Sequence, residues 1–183
     1  MADDLDFFRH ETERLILRDW REDDWPRFWE GTNTPNVMRW LGGVQDEGGR
    51  LEQQERQAAY KRQHGHTFWC VERKSDGAIL GFCGLKRSNE EGGPQGMMEA
   101  GWRLREDAWG KGYAKEAAIA TLDLAFDRFG SDEVIALTVQ ANEPSWGLML
   151  RLGMERREDL DGDGLVGVTD VLTLLSAFGS ICP

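Results

Sequence analysis

The chain has 183 residues, enough for one domain with its own core and marginal for two. Its 40% hydrophobic and 30% charged residues are those of a soluble globular protein, and no stretch approaches the ~20 apolar residues that span a bilayer. A formal charge of −11, from 22 basic and 33 acidic residues, argues against nucleic acid as a main partner and is compatible with a cationic amine substrate.

The opening MADDLDFFRHE is acidic and lacks the apolar run of a signal peptide, so a cytoplasmic location with no membrane partner is expected. Cys70, Cys83 and Cys182 have no CxxC spacing, which points to free thiols rather than a disulfide framework or zinc site.

In chain order, TERLILRD (12–19) alternates and reads as a strand. In EDDWPRFWEG, Asp23 or Asp24 is placed to cap a helix, Pro26 suits its first turn, and Trp25, Phe28 and Trp29 share one face. The polar stretch 52–63 predicts a solvated helix. Strands are expected over 66–73 and 78–86, joined by the turn Ser75-Asp76-Gly77. A loop follows at 89–96, then a strand over 97–105. The clearest helix is 113–129, with Ile119, Leu122, Phe126 and Phe129 on its apolar face and Gly130 at its C-cap. A buried strand over 133–139 and a short helix over 143–152, between Pro144 and Gly153, complete the regular part. Hairpins followed by one crossover imply an α/β (α+β) fold with a mixed, mostly antiparallel central sheet flanked by helices.

The junction between the strand over 97–105 and the long helix carries the chemistry. Gly110 and Gly112 fall where the helix begins. Glycine lets backbone N–H groups approach an anion without a Cβ in the way, and a helix start adds unpaired donors and partial positive charge. Together with Lys111 this makes a pyrophosphate site; the alternative is a merely tight connection. The spacing is neither that of a Walker motif nor that of a Rossmann fingerprint.

The segment Trp109-Gly110-Lys111-Gly112-Tyr113-Ala114 resembles the cofactor motif of the GNAT superfamily of N-acetyltransferases, with Trp109 where Gln or Arg is usual. That departure is similar to the RimJ/RimL branch. Asn142-Glu-Pro-Ser145 followed by Leu150-Arg-Leu-Gly153-Met154 resembles the family's Asn-x-x-Ser helix, and TERLILRDW its first strand; the resemblance covers about 11–158. It implies a GNAT domain over 1–157, a sheet splayed at the acetyl-CoA site, and acetyl-CoA as cosubstrate. Backbone contacts to that cosubstrate are implied for Trp102, Arg103 and Leu104. Phosphate contacts are implied for Trp109, Gly110, Lys111, Gly112, Tyr113 and Ala114, and a further contact for Asn142.

Acetyl transfer needs a positioned thioester, a donor to its oxygen and a neutral amine. The backbone N–H near Arg103 or Leu104 is the candidate oxygen donor. Glu99, in the middle of an apolar strand, is the candidate base; the alternative is that it only faces solvent. Partial burial would raise its pKa toward a useful value. The family's tyrosine acid falls on Met149, which leaves water or Ser145 to protonate the leaving thiolate. Asn142 and Ser145 are candidates for cofactor contact or water ordering, or else ordinary helix-start residues. Trp20, Trp25, Trp29 and Trp40 gather in the region that the resemblance places over the acceptor, so some are candidates for a substrate pocket while core packing accounts for most. The acceptor is a small-molecule or protein amine, and monomer and homodimer are both open.

The tail, 158–183, contains no Lys or Arg. Asp159, Asp161, Asp163, Leu165 and Asp170 match loop positions 1, 3, 5, 7 and 12 of a calcium site, with a helix over 171–178, resembling a single dockerin or EF-hand repeat. The alternative is the domain's final hairpin, with strands over 155–160 and 165–172 about the turn 161–164. Two further functions therefore stand beside the enzyme: a non-catalytic acetyl-CoA-binding module and a calcium-dependent interaction module.

Overall fold

The computed structural model describes residues 7–89 and 94–156 and the backbone of 170–175. It divides into two compact units, residues 1–84 with 102–117, and residues 85–101 with 118–183.

The first unit holds β1 (Arg9–Glu11), β2 (Leu15–Arg18), α1 (Asp24–Thr32), α2 (Glu47–His64), β3 (Phe68–Arg73) and most of β4 (Ile79–Arg87). Strands β1 to β4 are neighbours in sequence order and antiparallel. Between β3 and β4, Gly77 adopts φ 69° and Arg73 N–H donates to the Ala78 carbonyl at 2.9 Å, the tight turn expected of Ser75-Asp76-Gly77. The apolar face of α1 is as expected: Trp25, Phe28 and Trp29 are buried against Cys70, Ile79 and Phe82.

The cap of α1 is not as expected. Asp23 stands in helical backbone and makes no capping bond, and Asp24 lies inside the helix, fully buried. Its carboxylate takes both Nη atoms of Arg18, at 2.6 and 2.8 Å, and the amide of Arg21 at 2.7 Å. Arg18 Nε reaches Glu72 at 2.7 Å, so this buried cation is satisfied on both edges. Helix α2 starts earlier than the composition suggests. Gly48 and Gly49 weaken the helical signal, but Asp46 caps the helix by accepting from Gly49 N–H at 2.9 Å.

Strand β5 (Met98–Leu104) and helix α3 (Tyr113–Asp123) each have residues in both units. In the second unit, β5 pairs in parallel with β6 (Glu133–Thr138), through Met98↔Val134 and Glu99↔Ile135. Ala100 and Gly101 continue β5 without a ladder partner in β6 among the described residues. Helix α4 (Glu143–Arg151) follows, with Gly153 at φ 82° beyond it.

The helix expected over 113–129 is α-helical only to Asp123; residues 124–128 form a π-helix in which Phe129 N–H reaches the Leu124 carbonyl at 3.0 Å. The wider turn follows the regular helix and bears only on Phe126 and Phe129, both half-buried. Ile119, expected in the core, is 44% exposed, whereas Ala117, Ala118, Ala120, Thr121 and Leu122 are buried.

In the tail the loop and turn of both readings, 157–169, lie outside the described residues, and only the helix expected from Val171 is corrected. Asp170–Leu175 is a strand, β8, antiparallel to β6 over six residue pairs and to β7 (Glu155–Arg156), so the helix expected from Val171 does not form there. β-branched Val171 and Thr173 suit a strand, and pairing on both sides satisfies its backbone. No helix among the described residues is long and apolar enough to cross a membrane.

Candidate functional site

Between β5 and α3 the chain makes a 3-10 turn over Glu106–Ala108 and then the glycine loop. Gly110 and Gly112 stand at φ 69° and 80°, the left-handed region that disfavours side chains. A Cβ on Gly110 would meet nothing within 4 Å, so backbone conformation rather than crowding requires glycine there. The first α3 bond runs from Glu116 N–H to the Gly112 carbonyl at 3.0 Å. The amides of Tyr113, Ala114 and Lys115 precede it and have no acceptor within the helix. Open space at Gly110, the Arg14 guanidinium 3.3 Å from where a Cβ on Gly112 would stand, amides at a helix start and Lys111 beside them fit a pyrophosphate.

Arg14 braces this loop, a role that no local sequence pattern announces. Its Nε donates to Glu116 at 2.7 Å, its Nη1 to the Lys111 carbonyl at 3.0 Å, and its guanidinium lies 4.5 Å from the Tyr113 ring centre. Glu116 also accepts from the Arg14 amide at 2.7 Å and from the Thr12 hydroxyl at 2.5 Å. Burial raises the Glu116 pKa, but these donors outweigh it and hold the carboxyl below its usual range. Only the proximity of β2 to the loop brings the two residues together; no local spacing announces it.

On β5, Leu104 is buried and Trp102 half-buried. The Trp109 indole N–H donates to the Leu104 carbonyl at 2.8 Å, so the residue that replaces Gln or Arg ties the loop to the strand's end. Arg103, expected to contribute its backbone, also has a buried side chain. Its guanidinium lies 4.7, 5.2 and 5.1 Å from the ring centres of Phe28, Trp29 and Phe82, with Nη1 3.0 Å from the Met38 sulfur. Burial pushes its pKa down to about 10. A cleft of about 340 Å³ lies between α1 and α2, with Trp25, Trp29 and Leu51 among its lining. Of the four N-terminal tryptophans, Trp25 and Trp29 thus serve the core and the cleft together. Trp40 is partly exposed under Arg39.

The second unit carries Glu99, Asn142, Ser145 and Met149. Glu99 is buried rather than solvent-facing, with Lys86 Nζ 3.3 Å from its Oε2. Its surroundings are therefore not purely apolar, as the sequence suggested, but include an ammonium. Asn142 stands at the N-cap of α4 yet makes no side-chain capping bond; its carbonyl accepts from Ser145 N–H at 3.1 Å. Its amide group is therefore not committed to the helix start. Met149 is buried. Cys70 and Cys83 are free and buried, and burial pushes the Cys70 thiol up, which disfavours a thiolate nucleophile.

Of the candidate calcium ligands, Asp159, Asp161, Asp163 and Leu165 lie outside the described residues, and for Asp170 only the backbone is described, as strand. No group of three or more His, Cys, Asp or Glu able to hold a metal occurs among the described residues.

Residues 14–155 match the family model of the Acetyltransferase (GNAT) domain. YkkB of Bacillus subtilis (strain 168) is 32% identical over 122 residues, which is 67% of this chain and 70% of YkkB. The N-acetyltransferase YnaD of the same organism is 29% identical over 147 residues, 79% of this chain and 81% of YnaD. Among solved structures, the acetyltransferase from Agrobacterium tumefaciens str. C58 has a TM-score of 0.79 at 24% identity, covering 91% of this chain and 94% of that one.

Proposed function

Because this chain belongs to the family of GNAT acetyltransferase domains and so moves an acetyl group from acetyl-CoA to an amine, we propose that the glycine loop and the adjoining end of β5 are its cosubstrate site. The observation that carries this reading is the pair of left-handed glycines, Gly110 and Gly112, at the start of α3, with open space over Gly110. In this reading the backbone amides of Gly110 to Ala114 and the Lys111 ammonium hold the diphosphate, and Trp109 keeps the loop against Leu104. The backbone of Trp102, Arg103 and Leu104 orients the pantetheine arm. One N–H of Arg103 or Leu104 donates to the thioester oxygen.

Acetyl-CoA supplies the acetyl group, its C–S bond breaking as the amine forms the new C–N bond. Glu99, whose carboxylate charge Lys86 balances before the transfer, takes the proton that the amine gives up, directly or through water. An α-amine titrates near ~7.7–8.0 and a lysine near ~10.4, so the second acceptor depends on the base more than the first. Met149 offers no proton, so water or the Ser145 hydroxyl protonates the thiolate. Asn142 contacts the cosubstrate or orders water. Transfer is direct, in a ternary complex, since the buried thiols are poorly suited to a covalent step. The WGKGYA segment supports placement in the RimJ/RimL-like branch, with either a protein N-terminus or a small amine as acceptor. The boundary near residue 157 is part of the same proposal.

Release of free thiol from acetyl-CoA in the presence of an amine panel tests this reading. Glu99→Gln is expected to lower kcat by about 10²-fold or more with KM for acetyl-CoA unchanged. Unchanged turnover at neutral pH would remove Glu99 from the mechanism. The buried Met149 favours one competing reading, an acetyl-CoA-binding module without catalysis; tight coenzyme A binding with no thiol release from any amine would establish it.

A further inference from the structure

Arg103 is a buried cation short of an anion. It is 5% exposed, and its Nε and Nη2 have no hydrogen-bond partner among the described residues. The contrast with Arg18, equally buried, is direct: Arg18 meets Asp24 with both Nη atoms and Glu72 with Nε. Among the described residues, carboxylates therefore meet one buried guanidinium and none meets the other. Three aromatic faces and a thioether offset part of the desolvation of Arg103. They supply no acceptor for its N–H groups, and orphaned buried donors are costly.

The two unpartnered nitrogens are not scattered. Nε and Nη2 form one side edge of the planar guanidinium, while Nη1 faces Met38. Two parallel N–H groups on one edge match the two oxygens of a carboxylate. A third orphan donor stands on the wall of the same box: Trp29 Nε1 is buried without a partner. Trp29 also lines the cleft between α1 and α2, so its indole is the one ring common to the cleft and to Arg103. At about 340 Å³ the cleft is of small-ligand size.

We infer that the free edge of Arg103 is a carboxylate site, and that the acetyl acceptor is a small amine carrying its own carboxylate, of amino-acid type. The second half rests on the proposed placement of the thioester at the backbone of Arg103 and Leu104. The guanidinium is then one side chain, roughly 6 Å by standard bond lengths, from that backbone. An acceptor held by its carboxylate at Arg103 has its amine within a few bonds of the acetyl carbon. Displacement of Trp29 toward the cleft opens the route.

Two measurements on the full chain test this. In the first, benzoate and benzamide are titrated against wild type and Arg103→Met, with melting temperature and calorimetry as readouts. Benzoate is expected to stabilise wild type, benzamide not, and the variant is expected to respond to neither. Equal responses to both compounds, or an unchanged benzoate response in the variant, overturn the carboxylate site. The comparison of benzoate with benzamide on wild type stands even if the variant misfolds, and Arg103→Lys, which keeps charge without the forked edge, is expected to bind benzoate at least tenfold more weakly.

In the second, thiol release is followed with phenylalanine and methionine against their carboxamides. Wild type is expected to favour the acids by tenfold or more in kcat/KM, through KM, although the amides have the less basic, more readily neutral amines. Arg103→Met is expected to erase that preference. Equal use of acids and amides overturns the acceptor class. Absence of turnover with every amine defeats the transferase reading and, with it, the acceptor class, while the benzoate titration still decides the site itself.

Discussion

Arg14 and Glu116, 102 residues apart in the chain, are joined by a 2.7 Å ion pair that fastens the first turn of α3 to the start of β2. Arg14 also holds the Lys111 carbonyl, so the pair positions the glycine loop without being part of it. Arg14→Met is expected to raise KM for acetyl-CoA by about tenfold, equivalent to 1.4 kcal/mol, with kcat nearly unchanged. A fall in kcat at constant KM would contradict a positioning role.

The same pair sets a pH dependence. The Glu116 carboxyl is held below its usual range, so its contribution is complete above the unfolded value of about 4.3 and is lost as pH falls through the lower folded value. Melting curves of wild type and Glu116→Gln should differ by a constant amount from neutral pH to about 5 and converge in stronger acid. A difference that grows toward low pH would have the wrong sign.

Gly81 and Gly110 both have positive φ, but for different reasons. A Cβ on Gly81, at φ 147°, would stand 2.0 Å from the Arg103 carbonyl oxygen, which is backbone and cannot step aside. Gly81→Ala is therefore expected to cost more than about 3 kcal/mol or to abolish folding. Gly110→Ala has open space and should cost about 1–2 kcal/mol from its left-handed backbone alone. Urea denaturation of the two variants separates these cases, and equal losses would refute the crowding argument.

Trp109 keeps an N–H donor where relatives of the family motif carry Gln or Arg. Trp109→Gln retains such a donor, whereas Trp109→Phe strands the Leu104 carbonyl and should cost about 1 kcal/mol. Kinetics should rank wild type and Trp109→Gln above Trp109→Phe in kcat/KM for acetyl-CoA. The reverse order would mean that ring stacking, not the hydrogen bond, is what the position needs.

Arg18→Met and Arg103→Met should move stability in opposite directions. Removing Arg18 leaves Asp24 fully buried without its bidentate partner, expected to cost about 3–5 kcal/mol. Removing Arg103 deletes a buried charge with no anionic partner among the described residues and leaves a shorter, flexible apolar side chain among aromatic rings. Its melting temperature should equal or exceed that of wild type. Loss of stability in both variants would show that the aromatic box alone satisfies Arg103.

The elements that sequence made legible are those written in local patterns. Alternation marked β2, the turn at Gly77 marked the pair β3 and β4, an apolar run marked β6, and the two glycines marked the start of α3. The misses are of another kind. β1 is three residues, two of them charged, and exists because β2 gives it a ladder. Asp24 resembled a cap but is drawn to Arg18, a tertiary partner. The stretch 113–129 was read on a strict α-helical period that the π-turn at 124–128 interrupts. In the tail, an acidic loop pattern and a β-branched run supported two readings, and long-range pairing with β6 decided the backbone of 170–175. At the candidate site, the loop residues were visible because phosphate chemistry is local. Arg14 and the Arg103 side chain were not, since their partners lie far away in sequence.

Trp20 and Trp25 stack with ring centres 4.0 Å apart and planes 9° from parallel. Two indoles so close share their electronic excitations, and the pair should give a split circular-dichroism band in the far ultraviolet. That couplet belongs to the seating of α1 against β3 and β4 rather than to helix content. The protein thus carries an optical label beside the α1–α2 cleft, readable without any added dye as ligands arrive or as the N-terminal strands melt.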